Sequence, residues 1–127
     1  MDWRLHPAIE NYFTQDGTGC DMCITAGSLK DMIDPQTQAL FVKQVEISKE
    51  LHNCRAVILT MHLDCGAYGG SKAFADAASE MAACRQQLEL GKAVIEKNFP
   101  GLPVESYIIG LEHANGAWNI LPQKITI

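Results

Sequence analysis

Ala56-Val57-Ile58-Leu59-Thr60-Met61-His62-Leu63-Asp64-Cys65-Gly66-Ala67 is an apolar run that ends in a polar, glycine-bearing turn. Val57, Ile58 and Leu59 favour a buried, pleated backbone, so residues 54–61 are expected to form an inner strand. His62 and Cys65 then leave the sheet at its carboxyl edge. A histidine and a cysteine at this spacing can turn an imidazole nitrogen and a thiolate toward one ion, and Zn²⁺ accepts both at about 2.0 to 2.3 Å. Gly66, with no Cβ, lets the backbone come close to such an ion or to the molecule bound on it. The plainer reading is a buried thiol beside a capping histidine, with Asp64 capping the turn.

Working outward, Asp34 before Pro35 suits an N-cap, and Leu40, Phe41, Val45, Ser48 and Leu51 recur at helical spacing as far as His52-Asn53. Residues 20–26 are a compact apolar run closed by Gly27, which predicts another buried strand. Before them, His6-Pro7 followed by Ala8, Ile9, Tyr12 and Phe13 reads as a short amphipathic helix ended by Gly17 and Gly19. Downstream, Gly66, Gly69 and Gly70 make a turn. Phe74, Met81, Leu88 and Ile95 mark one face of a long helix or helix pair, with Gly91 as a place to bend and Pro100-Gly101 as its stop. Residues 104–111 give a third strand, and 118–121 or 124–127 a fourth. Strands alternating with helices of this length predict one α/β domain over residues 1–127, a mainly parallel β-sheet with helices on both faces. Ligands of such sheets gather at the carboxyl ends of strands, where His62 and Cys65 lie.

A chain of 127 residues can bury one ordinary hydrophobic core and needs no second domain. Its formal net charge of -5 and its scattered Lys and Arg residues argue against a nucleic-acid partner. The longest apolar runs, near 56–61 and 107–111, fall short of the about 20 residues that span a bilayer, so no membrane partner is expected. Met1-Asp2-Trp3-Arg4 shows neither an apolar h-region nor a cleavage pattern, which makes the cytoplasm the expected compartment.

Cys20, Cys23, Cys54, Cys65 and Cys84 make an odd count that favours buried thiols plus a metal site over a disulfide framework. Cys54 and Cys84 read as small core residues. A rival reading joins Cys20-x-x-Cys23 with His62-x-x-Cys65 as a four-ligand structural zinc site. In a parallel sheet, however, Cys20 would sit at the end opposite His62. As a redox pair, Cys20 and Cys23 lack the helix N-terminus that lowers a thiol pKa. His52 and His113 read as surface or capping residues, and Trp3 as packing under a loop.

The 56–67 block resembles the strand and zinc-binding turn of the β-class carbonic anhydrases, in which an apolar strand runs into His-x-x-Cys-Gly. Asp21-Met22-Cys23-Ile24-Thr25-Ala26-Gly27-Ser28 is similar to that family's strand ending in Asn-Ala-Gly, with Thr25 in place of the Asn. Asp2-Trp3-Arg4 is similar to the last part of its Cys-x-Asp-x-Arg motif, with Met1 at the first x. The three matches come in the family's order.

The resemblance implies a zinc enzyme acting on a small-molecule substrate by reversible hydration of carbon dioxide, its metal held by two cysteines and one histidine. His62 and Cys65 would be ligands here. Asp2 would orient the zinc-bound hydroxide or serve as a fourth ligand, Arg4 would be its partner, and Gly66 would lie beside the substrate. His6 follows Asp2 closely enough to line the same site. The family's first ligand cysteine would fall one residue before Met1, so that cysteine and its strand, central between the two strands read here, are expected to be lacking. A homo-oligomer, at least a dimer, is implied by the family's paired sheets and by the apolar surface a lost strand exposes. The reading from another class is a metal-binding or structural homologue without catalysis.

Overall fold

Asn115-Gly116 organises the sheet. Both residues have positive φ, 53° and 76°, the backbone required by a two-residue type I′ hairpin, which Asn-Gly adopts at little cost. Strand β2 (Val104–Ala114) therefore folds back on β3 (Ala117–Ile125), with Ala114 opposite Ala117 and Ser106 opposite Ile125. On the other side of β2 runs β1 (Val57–His62), parallel to it, with Val57 opposite Val104 and His62 opposite Ile109. The computed structural model describes residues 2–127 and contains one three-stranded sheet in the order β1-β2-β3.

This corrects the expectation of a mainly parallel β-sheet with helices on both faces. One of the two pairings is antiparallel, because a two-residue link cannot carry the crossover that parallel neighbours need. The longer helices also gather on one face. There α4 (Ala77–Asn98) packs on β1 and β2, and α2 (Lys30–Ile33) touches both α4 and α3 (Gln38–His52). The opposite face carries only the 3-10 turn Trp3–Leu5 and the seven-residue α1 (Ala8–Thr14), whose Leu5 and Ile9 close over Ile109.

A second correction concerns residues 20–26, expected as a strand and found without regular secondary structure and largely exposed. Among the described residues no strand pairs with them, and a segment without a paired neighbour has no ladder to join. Side chains hold the segment instead. The Asp21 carboxylate accepts from Ser48 Oγ at 2.6 Å and pairs with His52 Nδ1 at 2.7 Å, and the Ser28 hydroxyl donates to the Thr60 carbonyl. The carbonic-anhydrase resemblance would place one more strand between this segment and β1. Here β1 is an edge of the sheet, and Met1, the first x of that motif, lies outside the described residues.

Helix α4 forms where a long helix was expected, with Leu88 and Ile95 on its buried face, although Phe74 precedes it and Met81 is only partly buried. Asp76 caps it through the Ser79 N–H at 2.7 Å, and Ser79 Oγ answers by accepting from the Asp76 N–H at 3.1 Å. Its buried residues Glu80, Cys84, Leu88, Gly91 and Ile95 are spaced four, four, three and four apart, one stripe of a helix. The helix runs unbroken through Gly91, which serves packing: a Cβ there would stand 3.1 Å from both Leu29 and Met32. The expected helix from Asp34 begins instead at Gln38, because Asp34 turns the chain by accepting from the Gln36 N–H. Among the described residues no helix is long and apolar enough to cross a membrane, and all five cysteines are free thiols.

Candidate metal centre

At the end of β1 the Leu63 N–H reaches the Ile109 carbonyl at 3.0 Å, extending the ladder one residue past His62. Asp64 then reverses the chain in left-handed backbone, φ 55°. The Cys65 carbonyl accepts from the N–H groups of both Tyr68 and Gly70, at 3.0 and 2.9 Å, which closes the 3-10 turn Gly66–Tyr68. Gly70 must be glycine: its φ is 73°, and a Cβ would meet Asp64 Oδ1 at 2.9 Å. The turn thus delivers His62 and Cys65, each under a tenth exposed, to one place. Both border an open cleft of about 720 Å³ that is also lined by Asp2, Arg4, Gly27 and Gly66. Both also border a smaller, largely apolar cavity of about 230 Å³ under Tyr68, Phe74, Glu80 and Cys84.

The imidazole of His62 has a defined orientation. Its Nδ1 lies 2.8 Å from the Leu63 carbonyl, and because a carbonyl only accepts, the proton of the neutral ring sits on Nδ1. In that tautomer Nε2 carries the lone pair; it faces Asp2, with Oδ2 at 3.8 Å. A metal-ligating histidine is set in this way, by a hydrogen bond from its other nitrogen.

Asp2 and Arg4 are locked together. Arg4 Nη2 donates to Asp2 Oδ2 at 2.6 Å and Nε to Oδ1 at 3.0 Å, with the Arg4 backbone N–H on the same oxygen. Hydrogen bonding from the Arg4 side chain outweighs burial and holds the Asp2 carboxyl at about 2, down from 3.8. The same partner, followed by Asp64, raises Arg4 above its already high value. Arg4 Nη1 reaches Asp64 Oδ2 at 2.8 Å, Nη2 reaches the Asp64 carbonyl at 3.1 Å, and the guanidinium lies 5.3 Å from the centre of the Trp118 ring. A cation over an indole face is attracted by the ring quadrupole, so β3 supports the arginine from below.

The residues singled out from sequence thus meet, Asp2, Arg4, His62, Cys65 and Gly66 all lining one cleft. Gly66 has nothing within 4 Å of where its Cβ would be, so the protein's own packing leaves that space open. Other expectations differ. Trp3 is 75% exposed and packs under no loop, and His6 is exposed and does not line the cleft. His52 and His113 are exposed, as expected of surface residues; His52 pairs with Asp21, and the His113 ring lies 5.0 Å from Trp118. The rival four-ligand site, which the parallel-sheet argument disfavoured, does not form among the described residues: Cys20 and Cys23 are exposed. Cys84 packs in the core as expected, where burial pushes its thiol up to about 11.

Zinc fits these donors in kind but not in number. An imidazole and a thiol of the preferred types face one cleft, while a catalytic zinc ordinarily takes three protein ligands. Among the described residues no group of three His, Cys, Asp or Glu side chains could hold a metal ion. Asp2 Oδ2 lies 3.8 Å from His62 Nε2, and Arg4 occupies both of the Asp2 oxygens.

Three contributors were not found by sequence reasoning. Asp64 is a partner of Arg4 as well as a turn residue. Trp118 lies two residues past the Asn115-Gly116 turn, and that dipeptide was the signal that would have placed it. Glu80 accepts from the Asp64 N–H at 2.7 Å from a buried position on α4, and no local pattern announces it.

No family model matches the chain, and no solved structure matches it. It is similar to an uncharacterized protein of Rickettsia conorii, with 32% identity over 71 residues. That match covers 54% of this chain and 38% of the Rickettsia protein, so the chain spans well under half the length of this relative.

Proposed function

We propose that this chain is a carbonic-anhydrase-like zinc-binding protein in which His62 and Cys65 hold the metal and carbon dioxide is the small-molecule substrate once a further ligand completes the site. The observation that carries the reading is His62 Nε2, turned by the Leu63 carbonyl toward an Asp2–Arg4 pair in a cleft that Cys65 also borders. Zinc bound there would lower the pKa of its water to about 7 and so supply hydroxide at neutral pH. Arg4 keeps Asp2 ionised and drawn aside, ready to accept a hydrogen bond from a hydroxyl in the cleft. Gly66 leaves the room a small substrate needs. A cytoplasmic setting, in which thiols stay reduced, suits five free cysteines.

The second reading, a metal-binding homologue without catalysis, draws on the donor count, which stops at two well-placed ligands among the described residues. Zinc analysis and stopped-flow hydration separate the two. The 127-residue chain is expected to carry substoichiometric zinc and to hydrate carbon dioxide feebly. A chain extended by an apolar segment that ends in cysteine just before Met1 is expected to gain both. Full zinc and rapid turnover in the shorter chain would contradict the ligand count. An extended chain that binds zinc but gains no turnover would favour the non-catalytic reading.

A further inference from the structure

We infer that Glu80 is a positioning residue, which clamps the His62-x-x-Cys65 turn by accepting the Asp64 backbone N–H; this rests on the proposed metal site. Asp64 is the residue on which the turn pivots. Its φ of 55° lies in the left-handed region, which a non-glycine residue keeps only when its surroundings hold it there. Its carboxylate accepts from Arg4 and from the Ser71 N–H, and its carbonyl accepts from Arg4. The Asp64 side chain is 54% exposed, however, and an ion pair in that setting contributes little. The bond from its N–H to Glu80 Oε1 is different. At 2.7 Å it engages a carboxylate only 5% exposed, and hydrogen bonds to charged acceptors are the short, strong ones.

Glu80 is well placed for this task. It stands in the first turn of α4, where the helix dipole favours negative charge, on a 22-residue helix capped at Asp76. The helix is a rigid frame, and Glu80 transmits its position to the turn. Without that acceptor the Asp64 N–H loses its partner and the turn can relax from left-handed backbone. His62 and Cys65, two residues before and one after the pivot in effect on each side of it, then no longer face the cleft together.

The test uses Glu80→Met, which fills the space but cannot accept, and Glu80→Gln, which keeps an acceptor oxygen. In the metal-free protein, Glu80→Met should speed exchange of the Asp64 amide and alkylation of Cys65 by about tenfold each, the loss of one hydrogen bond. Exchange at Ile109, in the sheet centre and fully buried, should not change. Cobalt affinity should fall about 10- to 100-fold, as for lost partners behind a metal ligand. Glu80→Gln, which keeps an acceptor oxygen without the charge, should fall between wild type and Glu80→Met in every reading. Wild-type rates at Asp64 and Cys65 in Glu80→Met would overturn the inference. So would unchanged cobalt affinity in that variant, failure of Glu80→Gln to rescue, or a matching rise at Ile109. If wild-type protein takes up no cobalt, the metal-site reading falls, and the metal-free readings still decide the role of Glu80.

Discussion

Arg4 links more of the cleft than any other side chain, gripping Asp2, crossing to Asp64 and lying over Trp118. Its consequence for acidity is measurable. The Asp2 carboxyl is depressed to about 2, so its contribution to folding is complete above 3.8 and drains as pH falls through about 2. Arg4→Gln should return the Asp2 carboxyl toward 3.8, read by carbon-detected NMR titration, and remove that acid-sensitive stability. An Asp2 carboxyl still titrating near 2 in the variant would show that another group holds it. At this scale the sequence supplied Asp2, Arg4, His62 and Cys65 because each sits in a recognisable pattern. Asp64 and Glu80 escaped because what they do depends on partners 60 and 16 residues away in the chain, and no local spacing encodes such a contact.

Among the elements, β1, β2 and α4 were legible because each carries its own periodicity, whereas residues 20–26 were misread. An apolar run states only that a segment would be buried as a strand if a neighbour were present. The hairpin was missed for a different reason: the apolar positions of residues 104–125 were divided into separate short strands, and the turn chemistry of Asn115-Gly116 was left out. Gly91 was read as a bend and is instead a point of close packing, where a Cβ would press on Leu29, Met32 and Leu59. Gly91→Val should therefore cost about 1–3 kcal/mol, by overpacking against Leu29, Met32 and Leu59. A chemical denaturation midpoint equal to that of wild type would mean that the helices can separate without penalty.

Across the described residues the exposed large apolar side chains include Met22 and Ile24 on the 20–26 segment, Leu40 and Leu51 on α3 and Ile58 on β1, alongside Trp3, Leu90 and Leu121 elsewhere. Helix α3 buries no residue fully. The free edge of β1 lacks the proline and lysine that β3 carries at Pro122 and Lys124, devices that discourage edge pairing. Self-association is accordingly expected, with sedimentation velocity at micromolar concentration giving a dimer or larger species. A stable monomer would oppose it. The fold places His62 and Cys65, the proposed metal donors, at and just past the end of β1, and on those two side chains the functional reading stands or falls. Cobalt titration followed by electronic absorption tests it most directly. The expected result is a sulfur-to-cobalt charge-transfer band that is abolished by Cys65→Ser, weakened by His62→Ala and kept by Cys84→Ser. A band that survives Cys65→Ser, or no band at any cobalt concentration, would contradict a metal centre at His62 and Cys65.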